Sequence, residues 1–489
     1  MDNPLRILFA VSEVAPFSKT GGLADVASAL PKALASLGHD VCVVTPRYRS
    51  FEGPVNRLST MRVRTAQGEV AATVGRATLP GSAVTVYTIA DNRGWFDRDG
   101  LYQSPVWDPD DNLERFAFFS RAVLELPATL GWTPHVFHCN DWQTALIPMY
   151  LASERSRAPV RTVLTIHNMG YHGSFRGDLF RATGLPAWWY SMSGLEFFGQ
   201  VNLLKGGLVA ADLITTVSPT YAKEIQAEPF SHGLHGVLAS RRGDIVGILN
   251  GIDRAEWDPA NDPMLAAPFS ASKPGGKSAC RDDLLKQTGL PPGPGPVLAM
   301  VTRLVEQKGV DLLISLLPEL LMVDLRLVVL GTGDGPYEAA LRDWAAKRPE
   351  RMAVALTFDD ALAHRFMAGA DIFLMPSRYE PCGLSQLYAM RYGAVPVAHQ
   401  TGGLADTIVD YTPRSAIEET ATGFLFRPCT AENLLRAVEL ALAIRRDRAG
   451  WKRLMISAMR SDFGWERSAE HYVDAYRRAI IQPPRRPLG

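Results

Sequence analysis

The sequence of 489 residues has few cysteines, no net charge and no long hydrophobic run. Its five cysteines are scattered without a CxxC pair, which argues against a disulfide framework and favours a reducing compartment. The 51 basic and 51 acidic residues cancel, so the chain has no long-range field for nucleic acid or an acidic membrane. The longest stretch without a charged residue, 287–302, is rich in proline and glycine. It is shorter than the roughly 20 apolar residues of a membrane span.

The N-terminal sequence MDNPLRILFAV lacks the basic start and the long apolar core of a signal peptide. We therefore expect a soluble cytoplasmic protein with no nucleic-acid partner and no membrane association. Hydrophobic residues make up 47% and charged residues 21% of the chain, which is typical of a globular protein with large cores. A chain of this length is expected to form roughly two to three domains.

Short runs of β-branched and other apolar residues alternate with longer helical patterns. One series comprises LRILFAV, HVFHCN, RTVLTI and LITTVS, and the second comprises VLAMVT, LRLVVLG, IFLMPS and AVPVA. This alternation predicts an α/β fold with parallel sheets, and each half is long enough for its own doubly wound sheet. Between the two series lies the segment Asp258–Pro296, where DPANDP, KPGG and PPGPGP predict the transition between domains.

Apolar residues at helical spacing predict a first helix that begins near Gly22 and a last helix over Trp465–Ile480. The last helix has an apolar stripe and therefore needs a surface to dock on. Residues 50–100 contain two β-rich runs separated by glycine and proline, and they predict small antiparallel strands inserted in the first domain.

The string KTGGLAD, Lys19–Asp25, lies between the first predicted strand and the first helix. Its glycines let the backbone approach a ligand, the helix start offers unpaired N–H groups, and Lys19 adds a positive charge, so an anion is the expected guest. The alternative is a plain strand-to-helix turn. The hexapeptide TGGLAD recurs at Thr401–Asp406, after the run AVPVA.

Two further loops follow predicted strands of the second half. Arg303 and Lys308 follow VLAMV, where two cations would stabilise the charge of a departing diphosphate, although a solvated basic pair has the same pattern. Glu380 follows IFLM, and Pro381 holds it out of helical geometry. Its carboxylate would accept hydrogen bonds from a sugar or stabilise positive charge at an anomeric carbon, unless it is a helix cap.

Polar residues also end two predicted strands of the first half. Asp141 ends HVFHCN, and His167 with Asn168 ends RTVLTI. Such positions are typical of ligand sites in parallel sheets, but a structural histidine and a capping aspartate fit as well. The string GTGDG at Gly331–Gly335 resembles a dinucleotide loop, yet no acidic ribose ligand lies about twenty residues downstream, so hydride transfer is disfavoured.

The chain resembles the bacterial glycogen synthases and plant starch synthases in several motifs that occur in the same order over essentially its whole length. They are KTGGLAD, the strand end at His167, NGID at Asn250–Asp253, the loop with Arg303 and Lys308, EPCGL and TGGLAD. The resemblance implies the GT-B architecture, in which two Rossmann-like domains face each other across a deep cleft. It implies an acceptor-side domain at 1–255, a nucleotide-sugar-binding domain at 256–462, and a C-terminal helix at 463–489 that crosses back to the first domain.

The activity that the resemblance implies is retaining transfer of glucose from ADP-glucose to the nonreducing end of an α-1,4-glucan such as glycogen, with no metal or other cofactor. Arg303 and Lys308 would neutralise the departing ADP, and Glu380 would lie beside the sugar. The residues implied as catalytic are Glu380, His167, Arg303, Lys308 and Asp141. The residues implied as donor-binding are Lys19, Gly21, Gly22, Asp25, Asn168, Asn250, Phe358, Cys382, Gly383, Leu384, Thr401, Gly402 and Gly403.

Two positions depart from related enzymes. Many GT-B transferases carry a second glutamate where this chain has Tyr388, and Phe358 stands where a tyrosine often faces adenine. The alternatives left open are a UDP-sugar transferase, an epimerase of the same architecture, and a binding protein without activity.

Overall fold

The structure is a computed structural model that describes residues 3–102, 108–154 and 160–485, and these form two α/β units. The first unit comprises Met1–Gly251 and Trp465–Gly489, and the second comprises Ile252–Gly464. The sequence prediction placed these divisions at 255/256 and 462/463. Where the chain enters and leaves the second unit, the Ile252 N–H donates to the carbonyl oxygen of Phe463 (2.8 Å).

The first unit is built on a nine-stranded sheet in the order β12-β11-β7-β6-β1-β2-β5-β4-β3. The four predicted runs form β1, β6, β7 and β11, and all four lie in its parallel part. A separate three-stranded antiparallel sheet has the order β8-β10-β9. The strands are β1 (Arg6–Ala10), β2 (Asp40–Pro46), β3 (Asn56–Thr65), β4 (Gly68–Thr78), β5 (Thr85–Asp91), β6 (Val136–Asn140), β7 (Arg161–Ile166), β8 (Ser174–Arg176), β9 (Glu196–Phe197), β10 (Gln200–Asn202), β11 (Leu213–Thr216) and β12 (Ile245–Gly247).

Helices flank the larger sheet of this unit, and the first of them begins at Gly22, as the apolar spacing predicted. The helices are α1 (Gly22–Ser36), α2 (Asp111–Leu130), α3 (Leu146–Ser153), α4 (Leu203–Ala210), α5 (Pro219–Glu224) and α6 (His235–Ser240). Short 3-10 helices cover Trp142–Thr144, Gly177–Thr183, Ala187–Trp189 and Arg242–Asp244.

The strands between residues 56 and 91 differ from the prediction of small inserted strands. β3 and β4 are 10 and 11 residues long, and together with β5 they continue the main sheet at one edge. β5 pairs with β2 in parallel and with β4 antiparallel. The buried residues Met61, Val63 and Val70 alternate with exposed ones, so one face of this extension packs into the core.

The second unit is built on a six-stranded parallel sheet in the order β15-β14-β13-β16-β17-β18. The four predicted runs form β13, β14, β16 and β17 at its centre. The strands are β13 (Val297–Val301), β14 (Arg326–Leu330), β15 (Met352–Ala355), β16 (Ile372–Met375), β17 (Val395–His399) and β18 (Phe424–Phe426). The helices are α7 (Gly276–Gln287), α8 (Val310–Leu320), α9 (Gly335–Lys347), α10 (Asp360–Gly369), α11 (Ser385–Arg391), α12 (Gly402–Thr407), α13 (Pro413–Ile417), α14 (Ala431–Arg446) and α15 (Arg448–Arg460), with a 3-10 helix at Glu306–Lys308.

The proline-rich segment Asp258–Pro296 lies inside the second unit and contains helix α7 between its two proline clusters. Lys277 anchors this helix, because its Nζ donates to the carbonyl oxygens of Ala368 (2.9 Å) and Tyr392 (2.7 Å). Proline and glycine therefore delimit a helix here, whereas the sequence analysis placed the transition between domains in this segment.

The last helix, α16 (Trp465–Ile481), belongs to the first unit and packs against α1. Tyr476 is fully buried, and its hydroxyl lies 2.7 Å from Nδ1 of His138 on β6. Nε2 of the same ring lies 2.6 Å from the hydroxyl of Thr165 on β7. This buried polar chain and the apolar stripe attach α16 to the sheet.

Within the described ranges, none of the helices combines the length and apolar character that crossing a membrane requires.

Candidate active site

The candidate residues of the first unit follow neighbouring strands of the parallel sheet. Lys19 follows β1, Asp141 follows β6 and His167 follows β7, and these strands are adjacent in the order β7-β6-β1. Their carboxyl ends therefore lie side by side, which is where ligands bind in parallel α/β sheets. Asn250 follows β12, at the far edge of the same sheet.

The loop before α1 leaves open space at its first glycine. A Cβ built on Gly21 would meet no atom within 4 Å, and the backbone there is extended. Nζ of Lys19 lies 2.9 Å from Oδ1 of Asp25 in the first turn of α1, and both side chains are about one-quarter exposed. The structure thus brings together two of the predicted donor-binding side chains beside an accessible helix start.

Glu13 lies beneath this loop and was not singled out by the sequence analysis. Its carboxylate accepts hydrogen bonds from the backbone N–H and the hydroxyl of Thr20, although the side chain is only 4% exposed. Burial raises the pKa of Glu13, and the hydrogen bonds from Thr20 oppose that shift. An acidic residue two positions after the apolar run FAV was the only sequence signal for it.

Asp141 occupies a strained backbone position at the end of β6, with φ 55° in the region that favours glycine. One carboxylate oxygen accepts the backbone N–H of His167 at 2.7 Å, and the N–H of Asn168 also bonds to this carboxylate. Desolvation nevertheless raises the pKa of Asp141 to about 7, and the nearby charge of Glu13 adds to the shift. The structure brings Asp141, His167 and Asn168 together as one cluster.

His167 is held as a neutral ring. Its Nε2 lies 2.9 Å from Oδ1 of Asn140, the last residue of β6. His167 is partly exposed to solvent, but protein atoms pack closely around its ring. The resulting desolvation lowers the pKa of His167 to about 3. A neutral imidazole in this place is suited to hydrogen bonding with an uncharged ligand rather than to pairing with phosphate.

Asn250 is buried, with 6% exposure, and its Oδ1 has no hydrogen-bond partner among the described residues. A buried acceptor without a partner carries a free-energy cost, so it is a group that a ligand would satisfy.

In the second unit, the side chains of Lys308 and Glu380 form an ion pair of 2.6 Å. Lys308 follows β13 and Glu380 follows β16, and these two strands are neighbours. The buried hydroxyl of Ser377 donates to the same oxygen of Glu380 at 2.9 Å. Two catalytic candidates are therefore in direct contact at the carboxyl edge of this sheet.

Arg378 joins the two loops that carry this pair. It forms a bidentate ion pair with Asp311 (2.7 Å to each oxygen) and donates to the Glu306 carbonyl oxygen (2.9 Å). The arginine lowers the pKa of Asp311 through this hydrogen bonding. Arg303 is exposed, and one of its nitrogens lies 3.5 Å from Oε1 of Gln307.

The second TGGLAD copy has a different environment from the first. A Cβ at Gly402 would lie 2.0 Å from the carbonyl oxygen of Glu380, and one at Gly403 would lie 2.0 Å from that of Cys382. Gly402 also has a φ of 44°. The Gly403 N–H donates to the Glu380 carbonyl oxygen at 3.0 Å. These glycines let the start of α12 pack directly on the backbone that carries Glu380.

Comparison with known proteins agrees with these motifs. The family model "Starch synthase catalytic domain" matches residues 6–240, and "Glycosyl transferases group 1" matches residues 282–454. The chain is 48% identical to a glycogen synthase of Anaeromyxobacter sp. strain Fw109-5 over 480 residues, which cover 97% of this chain and 99% of the relative. It is 46% identical to glycogen synthase 1 of Methylococcus capsulatus over 482 residues, covering 97% of each.

The chain belongs to the glycogen and starch synthase family. Among solved structures, the catalytic domain of Arabidopsis thaliana starch synthase IV, described as bound to ADP and acarbose, superposes with a TM-score of 0.90 at 32% identity. The match covers 98% of this chain and 100% of that one. A sucrose-phosphate synthase of Thermosynechococcus elongatus shares the fold, with a TM-score of 0.59 at 18% identity. The predicted GT-B class, glycosyltransferase activity and glycogen synthase function are confirmed.

Gln386, two residues after the EPCGL motif, is a second residue that the sequence analysis missed. Nε2 of the fully buried Gln386 donates to the carbonyl oxygens of Cys382 (3.0 Å) and Gly383 (2.8 Å). Gly383 has a φ of 71°, so it needs the conformational freedom of glycine. The loop 382–384 is thus held by its carbonyl oxygens.

The two departures from the wider superfamily have different surroundings. Tyr388 stacks on Trp257 with ring centroids 3.7 Å apart and an interplanar angle of 10°. Phe358 lies in the loop after β15, and its side chain is 70% exposed. No cluster of three or more potential metal-ligating side chains occurs within residues 3–102, 108–154 and 160–485.

Proposed function

We propose that this family member transfers glucose from ADP-glucose to the nonreducing end of an α-1,4-glucan, with retention of anomeric configuration, and so elongates glycogen in the cytoplasm. The observation that carries the proposal is the ion pair between Lys308 and Glu380 at the carboxyl edge of a parallel sheet. It supports the proposal because a cation suited to a departing phosphate lies next to a carboxylate suited to a sugar. The ADP in the starch synthase IV structure supports the choice of nucleotide.

Lys308 and Arg303 bind the donor diphosphate in this proposal. When the bond between glucose and ADP breaks, negative charge grows on the departing phosphate, and prearranged cations stabilise that charge more than they stabilise the bound donor. Lys308 is held in place by Glu380 and by its position as the last residue of the 3-10 helix Glu306–Lys308, so little reorganisation is needed. Both cations therefore act mainly on kcat.

Glu380 lies beside the transferred glucose. Its carboxylate is buried, and the bonds from Lys308 and Ser377 both go to Oε2. The second oxygen can accept a hydrogen bond from a sugar hydroxyl or stabilise the positive charge that develops at the anomeric carbon. The loop 382–384, together with Thr401, Gly402 and Gly403, supports the sugar and phosphate beside it, and Phe358 offers a face to the adenine.

We assign further donor contacts to residues of the first unit. Lys19, Gly21 and Gly22 approach the phosphates and glucose, where Gly21 leaves the required space. Asp25 fixes the ammonium group of Lys19. The donor and the transferred glucose are further contacted by His167 through its neutral ring and carbonyl oxygen, and by Asp141, Asn168 and Asn250.

Retention follows from displacement on one face of the sugar. The C1–O bond to ADP breaks, the acceptor hydroxyl oxygen forms the new C1–O bond from the same side, and its proton passes to the departing phosphate. The alternative is a covalent intermediate on a carboxylate. Trapping with a slow donor analogue followed by mass spectrometry distinguishes the two, because only the second adds a glucosyl group to the protein.

The test is to incubate the purified protein with ADP-glucose or UDP-glucose and glycogen, and to measure nucleotide release and glucan chain length. We expect ADP release that depends on glycogen, longer chains that an α-1,4-specific amylase digests, and slower release of UDP. Glu380→Gln should be severely impaired. Asp410→Asn is a suitable control, because Asp410 is a half-buried carboxylate of the same unit that accepts the Leu425 N–H (2.8 Å). Equal rates with both donors, or wild-type turnover by Glu380→Gln, would contradict the proposal.

A further inference from the structure

The loop that carries Lys19 and Gly21 is tied to a single buried carboxylate. Glu13 follows β1 and is 4% exposed. Thr20 is exposed at the surface, yet its backbone N–H donates to Oε2 of Glu13 at 2.5 Å and its hydroxyl lies 2.9 Å from the same oxygen. The backbone N–H of Gly21 also bonds to this carboxylate.

The carboxylate of Glu13 also accepts a hydrogen bond from another part of the first unit. The hydroxyl of Tyr102 donates to Oε1 of Glu13 at 3.1 Å, and it lies 2.7 Å from the hydroxyl of Ser12. Glu13 therefore connects the end of β1, the loop before α1 and the segment after β5 that contains Tyr102. The carboxylate accepts from two backbone N–H groups and two hydroxyls.

An ionised carboxylate is the side chain that suits this set of donors. It has two oxygens and no hydrogen, so it accepts from every group around it. A glutamine of the same shape presents an NH2 group in place of one oxygen, and that group faces at least one N–H or O–H donor. The substitution Glu13→Gln therefore releases part of the loop while it keeps the side-chain volume.

We propose that Glu13 is a positioning residue that holds Lys19, Gly21 and the start of α1 in the conformation that receives the donor diphosphate. This inference rests on the proposed function, because it takes the loop to be a donor contact. Glu13 itself touches no reacting atom. Its effect is geometric, and a displacement of about 1 Å in a positioning group can reduce the rate roughly 10²-fold.

The first unit offers a matched control in Asp212. Oδ2 of Asp212 accepts the backbone N–H of Thr162 at 2.8 Å and its hydroxyl at 2.9 Å, the same pair of donors that Thr20 presents to Glu13. Asp212 precedes β11, at the opposite end of the sheet from the candidate site. Asp212→Asn thus weakens a comparable anchor in the same unit without touching the loop before α1.

The experiment compares wild type, Glu13→Gln and Asp212→Asn in the ADP-release assay and by calorimetric titration with ADP. We expect both variants to unfold at lower temperature. Glu13→Gln alone should raise the KM for ADP-glucose and the Kd for ADP, each at least about tenfold. The KM for glycogen should stay within about twofold of wild type in both. Equal donor KM and ADP affinity in Glu13→Gln and wild type would overturn the proposal.

A second variant covers the case in which Glu13→Gln does not fold. Thr20→Val removes only the hydroxyl bond to Glu13 and leaves the backbone bond, and Thr20 is exposed. We expect a smaller rise in donor KM with an unchanged unfolding temperature, and an unchanged KM would count against the proposal. Failure of the proposed function is distinguishable, because wild type itself would then release no ADP from ADP-glucose.

Discussion

The two TGGLAD copies allow one substitution to be compared in two environments. Gly21 and Gly402 occupy the same position of the hexapeptide. A Cβ at Gly402 would lie 2.0 Å from the Glu380 carbonyl oxygen and 2.9 Å from its carbonyl carbon, and φ is 44°. At Gly21 it would meet nothing within 4 Å.

We expect Gly402→Ala to destabilise the second unit. A left-handed backbone costs an alanine roughly 1–2 kcal/mol, and overpacking against backbone that cannot rotate away adds roughly 1–3 kcal/mol. The sum of roughly 2–5 kcal/mol corresponds to a fall in unfolding temperature of roughly 4–20 °C for a unit of this size. Because the clash falls on the Glu380 carbonyl, kcat should fall as well.

Gly21→Ala should behave in the opposite way. Its backbone is extended and the site is open, so the unfolding temperature should stay close to wild type. The new methyl group occupies space proposed for the donor, so the KM for ADP-glucose should rise. Differential scanning calorimetry and the ADP-release assay measure both quantities. The reasoning is refuted if Gly402→Ala keeps the wild-type unfolding temperature, or if Gly21→Ala loses stability instead of donor affinity.

Three further predictions concern charge and burial. Arg303→Ala or Lys308→Ala should lower kcat by roughly 10² or more in the ADP-release assay, and unchanged kcat in both variants would contradict the role in leaving-group stabilisation. The pKa of Asp141 is raised to about 7 in the folded protein, against about 3.9 in the unfolded chain. The free energy of unfolding should therefore fall by up to roughly 4 kcal/mol as pH rises from about 4 to 7. The free energy of unfolding of Asp141→Asn should depend less on pH across this interval than that of wild type. If the two proteins show the same pH dependence, Asp141 does not have a raised pKa. Tyr476→Phe leaves Nδ1 of the buried His138 ring without its hydrogen-bond partner, while Nε2 keeps the Thr165 hydroxyl, and it should cost about 1–3 kcal/mol in chemical denaturation. An unchanged midpoint would show that this bond contributes little.

Much of the fold could be predicted from local pattern. Each of the eight apolar runs forms a strand, and α1 and α16 begin where the spacing of apolar residues indicated. These features depend on near neighbours in the chain, because strand and helix periods are properties of a few consecutive residues. The candidate residues after β1, β6, β7, β13 and β16 could be identified for the same reason. The end of a strand can be predicted from its own residues, without knowledge of the strands that pair with it.

The tertiary structure decided what these residues contact. Glu13, Gln386 and Arg378 were missed because each acts on a loop through hydrogen bonds that no periodicity reveals. The strands at 56–78 extend the main sheet because of the partners they meet, which their composition did not specify.

The repeated hexapeptide separates the two kinds of information most clearly. The letters TGGLAD determine that a glycine-rich turn begins a helix in both places, because glycine permits the turn and the apolar spacing continues the helix. They do not determine whether the first glycine faces open space, as at Gly21, or the backbone of Glu380, as at Gly402. That difference is set by the loop after β16, which packs on Gly402 and has no counterpart at Gly21. Because this loop is distant from the hexapeptide in sequence, no local pattern reveals the contact.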